Sequence, residues 1–340
     1  MKTIFVVDDS DVNLVQAKRA LDGHYRVRTM PSAGRMLTLL DKIVPDLILL
    51  DIQMPEMDGF TAINKLKENA KTANIPVMFL TASADDEIEA KGLQLGAVDF
   101  ITKPFSPAVL LNRIAHHLHI EEMLTKRTER LKRLQDGILD VVVNMVESRD
   151  KVTGGHIERT SKYIQILMET MLIREIYAEE IKAWDFDTVI SSARLHDVGK
   201  IAVSDVILNK AGKLTPEEYE KIKIHAIEGE NIINKIISKT GEESFLHHAK
   251  MFACYHHENW DGTGYPRGLK GEDIPLEGRI MTIADVYDAL VSVRPYKNPF
   301  THEHAVEVII NESGKQFDPV IVDLFVTVAD VFLSITLEQR

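Results

Sequence analysis

The first 120 residues of this 340-residue chain alternate between two patterns that call for different kinds of element. Short apolar runs stand at Thr3–Val7, Tyr25–Thr29, Leu47–Leu50, Val77–Leu80 and Val98–Ile101, and between them lie amphipathic stretches such as Val12–Leu21 and Ser32–Lys42. Unbroken apolar runs suit strands buried on both faces of a parallel sheet, and the amphipathic stretches suit the helices that cover it. The pattern predicts a doubly wound, five-stranded parallel α/β domain over residues 1–120.

After Val109 no strand pattern continues. Residues 110–150 hold no proline, and Gly137 is their one glycine. Leu124, Leu131, Ile138 and Met145 stand seven apart, with a second set at Ile120, Leu134 and Val141 that Arg127 interrupts. Such spacing fits an amphipathic helix packed on its own domain, or a linking coiled coil. Lys126, Arg127, Glu129, Arg130, Lys132 and Arg133 fill the intervening positions, which favours a coiled-coil linker over 121–136 and a homodimer formed through it. Residues 137–340 read as an all-α domain, with helix-like spacing at 157–173, 216–237 and 305–311. Thr215, Pro216 and Glu218 mark a helix start. The Gly-, Pro- and Asp-rich stretch 259–278 reads as an ordered loop.

The formal net charge is −12, which argues against a DNA-binding role because phosphate contacts need clustered Lys and Arg. The single cysteine, Cys254, allows no internal disulfide and reads as a small buried hydrophobe. Acidic residues follow the first short apolar run, too early for a signal peptide, and no apolar run approaches the ~20 residues of a membrane span. The expected location is the cytoplasm.

In a doubly wound sheet the functional groups gather at the carboxyl ends of the strands. Asp8 and Asp9 end the first apolar run, Asp51 the third, Thr81 the fourth, and Lys103 follows the fifth. Three carboxylates so placed repel unless a cation joins them, and oxygen donors suit Mg²⁺. A carboxylate beside Mg²⁺, an ammonium and a hydroxyl can attack phosphorus. The segments VVDDS, LILLDIQMPEMDG, FLTA and ITKPF resemble the receiver domains of two-component response regulators over about 120 residues. The resemblance implies that Asp51 accepts a phosphoryl group from a sensor histidine kinase and that Asp8, Asp9, Asp51 and the Gln53 carbonyl hold Mg²⁺. Thr81 and Lys103 would contact the phosphoryl group, Phe100 would be the aromatic switch residue, and a cis bond would precede Pro104.

The second domain carries RLHDVGK, with His196, Asp197 and Lys200. Around it stand His156 in TGGHIERT, His225 in KIKIHAIEG, His256 and His257 in YHHENWDGTGYP, and Asp285 in RIMTIADVYDAL. Taken singly, each has a structural reading: His225 as a satisfied core histidine, Asp285 as a helix-end partner, His256 and His257 as a surface pair. Taken together, five imidazoles and two carboxylates are too many for one tetrahedral ion and suit two metals that share Asp197. On a helix, His196 and Asp197 would point roughly 100° apart. His256 and His257 are expected to address different ions.

In this order the pieces resemble the HD-GYP subgroup of HD-domain phosphohydrolases, over residues 137–340. The resemblance implies hydrolysis of cyclic di-GMP to linear pGpG or GMP, with His156, His196, Asp197, His225, His256, His257 and Asp285 holding two transition-metal ions. Fe or Mn is the expected metal, Zn or Ni the alternative. Asp197 and Lys200 would be catalytic, with Lys200 at the leaving oxygen. Arg294 and Lys297, with Gly264, Tyr265 and Pro266, would bind substrate. Part of the family places Glu four residues before the first His to hold a third metal. Val152 stands there, so a binuclear site is expected, with Glu147 the nearest substitute. Asp288, three residues after Asp285, reads as an orienting partner. His116, His117 and His119 are expected on a solvated helix face, and His247, His248, His302 and His304 at the surface or behind the site. Two alternatives stand beside the hydrolase: a receptor or adaptor without turnover, and an enzyme for another nucleotide such as cyclic GMP-AMP.

Overall fold

The computed structural model describes residues 1–82, 86–149, 155–210, 212–292 and 299–338. The chain divides into two compact units, Met1–Leu134 and Gln135–Arg340.

The first unit is a five-stranded parallel sheet of β1 (Thr3–Val7), β2 (Arg26–Met30), β3 (Leu47–Asp51), β4 (Val77–Thr81) and β5 (Asp99–Thr102), in the order β2-β1-β3-β4-β5. The second and fifth strands start one residue later than the apolar runs suggest. For β2 the reason is register, because pairing with Thr3 begins at Arg26. Helices α1 (Asp11–Leu21), α2 (Ala33–Leu40), α3 (Gly59–Glu68), α4 (Asp86–Gln94) and α5 (Pro107–Glu147) follow the strands in turn. Side chains alternate along each strand, so Phe5, Ile48 and Phe79 pack toward α2 and α3, while Ile4, Leu49 and Met78 pack with α1 and α5. Both faces are covered, which accounts for strands buried at every position in β3 and β4. The order reverses between β1 and β3, so Asp8, Asp9 and Asp51 meet at one crevice.

Residues 121–136 lie within α5, one helix of 41 residues. Its first turns bury Leu110, Ile114 and Leu118 in the first unit, and its last turns bury Leu139, Val143 and Val146 in the second. Between and beside these, Leu124, Leu131, Ile138 and Met145 are 53, 58, 57 and 61% exposed.

The second unit is helical: α6 (His156–Arg174), α7 (Ala178–Lys182), α8 (Phe186–Ala193), α9 (Asp205–Leu208), α10 (Pro216–Thr240), α11 (Ser244–Tyr255), α12 (Leu276–Val291), α13 (His302–Asn311) and α14 (Pro319–Glu338). A 3₁₀ turn, Val198–Ala202, precedes α9. Thr215 and Glu218 form the expected capping box of α10. The core joins α6, α12 and α14 through Tyr163, Tyr287, Phe325 and Phe332, with Tyr163 stacked on Phe332 at 4.3 Å. Helix α14 qualifies the expectation that no run approaches span length, since among the described residues it is long and apolar enough to cross a membrane. Asp323 and Asp330 break its apolar run in sequence, while Phe325 and Phe332 are fully buried in the core.

Candidate metal centre and phosphoacceptor site

In the first unit, Asp8, Asp9 and Asp51 bring ligand oxygens within 4.8 Å of one another. Lys103 Nζ lies 2.6 Å from Asp8 Oδ2 and 2.8 Å from Asp51 Oδ2. Burial pushes the Asp51 carboxyl above its ordinary range, although Lys103 pulls it back. The Gln53 amide reaches Asp51 Oδ1 at 3.4 Å. Thr81 is buried at the end of β4, Phe100 packs on Phe79 at 5.6 Å, and the Lys103–Pro104 bond is cis. An all-oxygen donor set at a carboxylate-rich crevice fits Mg²⁺.

In the second unit the candidate ligands converge from five places along the chain. His156 opens α6, His225 lies within α10, His256 and His257 follow α11, and Asp285 lies within α12. His196 and Asp197 are not on an α-helix, as the sequence suggested, but in the turn between α8 and the 3₁₀ segment. The segment that follows packs tightly on α10: a Cβ on Gly199 would lie 1.9 Å from the His225 carbonyl oxygen. Two donor groups result, one of His156, His196 and Asp285, the other of His225, His256 and His257. His256 and His257 thus fall in the same donor group, because both follow the end of α11 beside His225.

Asp197 stands between the two groups. Its Oδ2 lies 3.3 Å from His196 Nε2, and its Oδ1 lies 3.6 Å from His225 Nε2 and 3.8 Å from His256 Nε2. Lys200 Nζ is 2.8 Å from Oδ2. Burial works against ionisation of Asp197, but Lys200 and the imidazoles hold its carboxyl well below the usual carboxylate range.

Four rings have an acceptor behind Nδ1: Asp288 for His156 at 2.8 Å, the Ala193 carbonyl for His196 at 2.9 Å, the Ile222 carbonyl for His225 at 2.7 Å and the Phe252 carbonyl for His256 at 2.9 Å. These partners place the proton on Nδ1 and aim the Nε2 lone pairs inward. His225 and His256 then face each other, Nε2 to Nε2, at 3.3 Å. His196 Nε2 is, among the described residues, the one buried side-chain polar atom without a hydrogen-bond partner. Inward lone pairs at this separation fit ligands about 2.1 Å from a shared ion, so the donor set fits divalent transition metals. Burial and the neighbouring rings push His256 down to about 3, and burial also lowers His225 and His257. His196 moves the other way, because Asp197 outweighs burial.

The centre opens into a cavity of about 470 Å³ that Lys200, Tyr219 and Tyr265 help line. Tyr265 stacks on His257 at 4.7 Å. Gly264 and Pro266 shape the loop that presents it: a Cβ on Gly264 would lie 2.2 Å from the Asn259 nitrogen, and the Tyr265–Pro266 bond is cis. Arg294, Lys297 and Val152 lie outside the described residues. Glu147 lines the cavity but accepts the Ile157 amide at 3.2 Å, so it caps the start of α6 and joins neither donor group.

Several residues escaped the sequence reading. Arg159 donates to Asp288 at 2.6 Å, and its position three residues after His156 on α6 was the available signal. Glu258 is buried and accepts the Arg267 and Leu269 amides, pinning the loop. His117 is not simply solvated but pairs with Asp99, and His302 is bonded to Tyr287. His248 bonds Glu277, whereas His116, His119, His247 and His304 are exposed. Cys254 is fully buried beside Glu230 and Arg267, and burial pushes its thiol up to about 12.

A receiver-type crevice followed by a histidine–carboxylate centre on helices defines a two-part signalling protein. The response regulator receiver domain model matches residues 4–115, and the HD domain model matches residues 140–321. The chain belongs to the HD-domain family, among the response regulators that carry this domain behind a receiver. A probable cyclic di-GMP phosphodiesterase of Vibrio cholerae is 39% identical over 98% of this chain and 79% of its own length. The cyclic di-GMP phosphodiesterase response regulator RpfG of Xanthomonas campestris pv. campestris is 35% identical over 82% of this chain and 74% of its own. A 3'3'-cGAMP-specific phosphodiesterase 2 of Vibrio cholerae is 39% identical over 57% of this chain and 35% of its own.

Proposed function

We propose that this chain is a metal-dependent cyclic di-GMP phosphodiesterase, located in the cytoplasm, whose second unit is controlled by phosphorylation of Asp51 by a sensor histidine kinase. The observation that carries the hydrolase is Asp197, with one carboxylate oxygen toward His196 and the other toward His225 and His256. His156, His196 and Asp285 would hold one ion, and His225, His256 and His257 the other, with Asp197 shared. Fe or Mn suits the mixed imidazole and carboxylate set, with Zn or Ni as alternatives. Two such ions lower the pKa of a water and neutralise charge growing on a phosphoryl group.

The chain's own groups supply the rest. Water adds to phosphorus as the bond to the ribose oxygen breaks; Lys200, held by Asp197 at 2.8 Å, would give a proton to the leaving oxygen, and the proton shed by the water would restore the lysine ammonium. Tyr265 presents its ring at the cavity, while Arg294 and Lys297 would bind the substrate phosphates in an otherwise acidic chain. In the first unit Asp8, Asp9, the Gln53 carbonyl and the phosphoacceptor Asp51 itself would hold Mg²⁺. Lys103 and Thr81 pair with the new charge, and Phe100 moves with Thr81. The exposed apolar stripe of α5 pairs two copies of the chain, which carries that change onward.

The similarity to a cGAMP-specific phosphodiesterase supports a second substrate reading, in which cyclic GMP-AMP is hydrolysed by the same centre. Turnover of both dinucleotides by protein loaded with Mn²⁺ or Fe²⁺ under reducing conditions tests these readings. Formation of pGpG or GMP that Asp197→Asn abolishes supports the first. Binding without product makes the chain a receptor. For the switch, Asp51→Asn or beryllofluoride should change oligomeric state or hydrolysis rate, and a change in neither contradicts the control.

A further inference from the structure

Arg149 lies two residues beyond the end of α5, and its guanidinium is spent on the wall of the cavity. Its Nη1 donates to the Ile201 carbonyl at 2.7 Å and lies 3.4 Å from that of Lys200, and its Nη2 donates to the Val203 carbonyl at 2.9 Å. Its Nε reaches Asp205 Oδ1 at 3.0 Å, and its own carbonyl accepts from Asn209 Nδ2 at 2.8 Å. The Lys200 carbonyl also accepts the Val203 amide at 3.0 Å, and the fixed fork of a guanidinium can serve several acceptors at once. One side chain therefore spans from the 3₁₀ turn at Val198–Ala202 to the start of α9. The inner side of the same segment carries Lys200 and Asn209 into the cavity.

We propose that Arg149 is a positioning residue for Lys200 and Asp197, fastening the segment that carries them to the last turn of α5. The inference rests on the hydrolase reading for its catalytic consequence. The geometry supporting it is independent of that reading: three backbone carbonyls and one carboxylate converge on a single guanidinium. The lysine ammonium is a point charge that cannot reproduce this fork.

The test uses the full chain loaded with Mn²⁺ and compares wild type with Arg149→Ala and Arg149→Lys. Amide hydrogen exchange of peptides spanning 198–209 should quicken by about tenfold or more in Arg149→Ala, with α12 and α14 unchanged and Arg149→Lys intermediate. The kcat for cyclic di-GMP should fall about 10- to 100-fold while KM stays within about threefold and two Mn²⁺ still bind. Unchanged exchange overturns the proposal, as does faster exchange throughout the second unit, which marks a merely structural role. Faster local exchange with unchanged kcat overturns it too. If wild type makes no product, the hydrolase reading fails separately, and the exchange data still decide whether Arg149 holds the segment.

Discussion

His156 Nδ1 lies 2.8 Å from Asp288 Oδ2, and this bond turns the ring so that its Nε2 stands 3.5 Å from Asp285. Burial alone would raise the Asp288 carboxyl, yet its bonds to His156 and Arg159 hold it at about 2. Asp288 therefore stays charged and fixes both the proton and the direction of a proposed ligand. Asp288→Asn should weaken Mn²⁺ affinity about 10- to 100-fold by competition with a chelator. It should also lower stability by about 3 kcal/mol, because Arg159 loses its buried counter-charge. Unchanged affinity contradicts the orienting role.

The metal-free protein should lose stability on mild acidification. Burial and the adjoining rings keep His256 at about 3 when folded, against ~6.5 in an unfolded chain. Between those values the unfolded chain binds a proton that the folded one does not, so stability rises with pH and is lost as pH falls through 6.5. From pH 7.5 to 5.5, His256 alone accounts for about 1.4 kcal/mol. His225 and His257 act in the same direction, and His196 opposes them. The urea midpoint in chelator should be lower at pH 5.5, and an equal or higher midpoint contradicts the burial of these rings as neutral groups.

Close backbone approach at Gly199 has a cost that can be measured. A Cβ there would lie 1.9 Å from the His225 carbonyl oxygen and 2.4 Å from the Gly229 nitrogen, neither of which can rotate away. Gly199→Ala should destabilise by about 3 kcal/mol or more in urea titration. At Gly229 the nearest atom is the Ala253 methyl at 3.1 Å, so Gly229→Ala should stay within about 1 kcal/mol of wild type. Equal stabilities for the two variants contradict the packing of α10 on the His196–Lys200 turn.

The stripe on α5 predicts self-association without a contribution to either unit's core. Leu124 and Leu131 are more than half exposed, so Leu124→Glu with Leu131→Glu should leave both melting transitions in place. Light scattering should report a dimer for wild type and a monomer for the double variant. A monomeric wild type contradicts the coiled-coil reading.

Much of this was legible from chemistry at fixed places. Asp8, Asp51, Thr81 and Lys103 could be read because strand ends in a doubly wound sheet have one address. The seven proposed ligands could be read as a set because the motifs that carry them, in their order, resemble those of the HD-GYP phosphohydrolases. How they divide was not legible. His256 and His257 are adjacent in sequence, but the end of α11 turns both toward His225, a fact of tertiary packing. The turn at His196–Asp197 also departed from the helical expectation, and the close approach of α10 to Gly199 just after it is a tertiary contact that no spacing rule shows. Arg149 and Glu258 spend their side chains on backbone groups far along the chain, and no spacing rule announces such bonds. Helix α14 was hidden by Asp323 and Asp330, which interrupt its apolar run.

Anomalous scattering at metal absorption edges, on crystals of protein purified without oxygen, tests the convergent centre most directly. The account predicts two peaks, one beside His156, His196 and Asp285 and one beside His225, His256 and His257, with Asp197 touching both. A single peak, a third peak at Glu147, or ions bound away from Asp197 would contradict it.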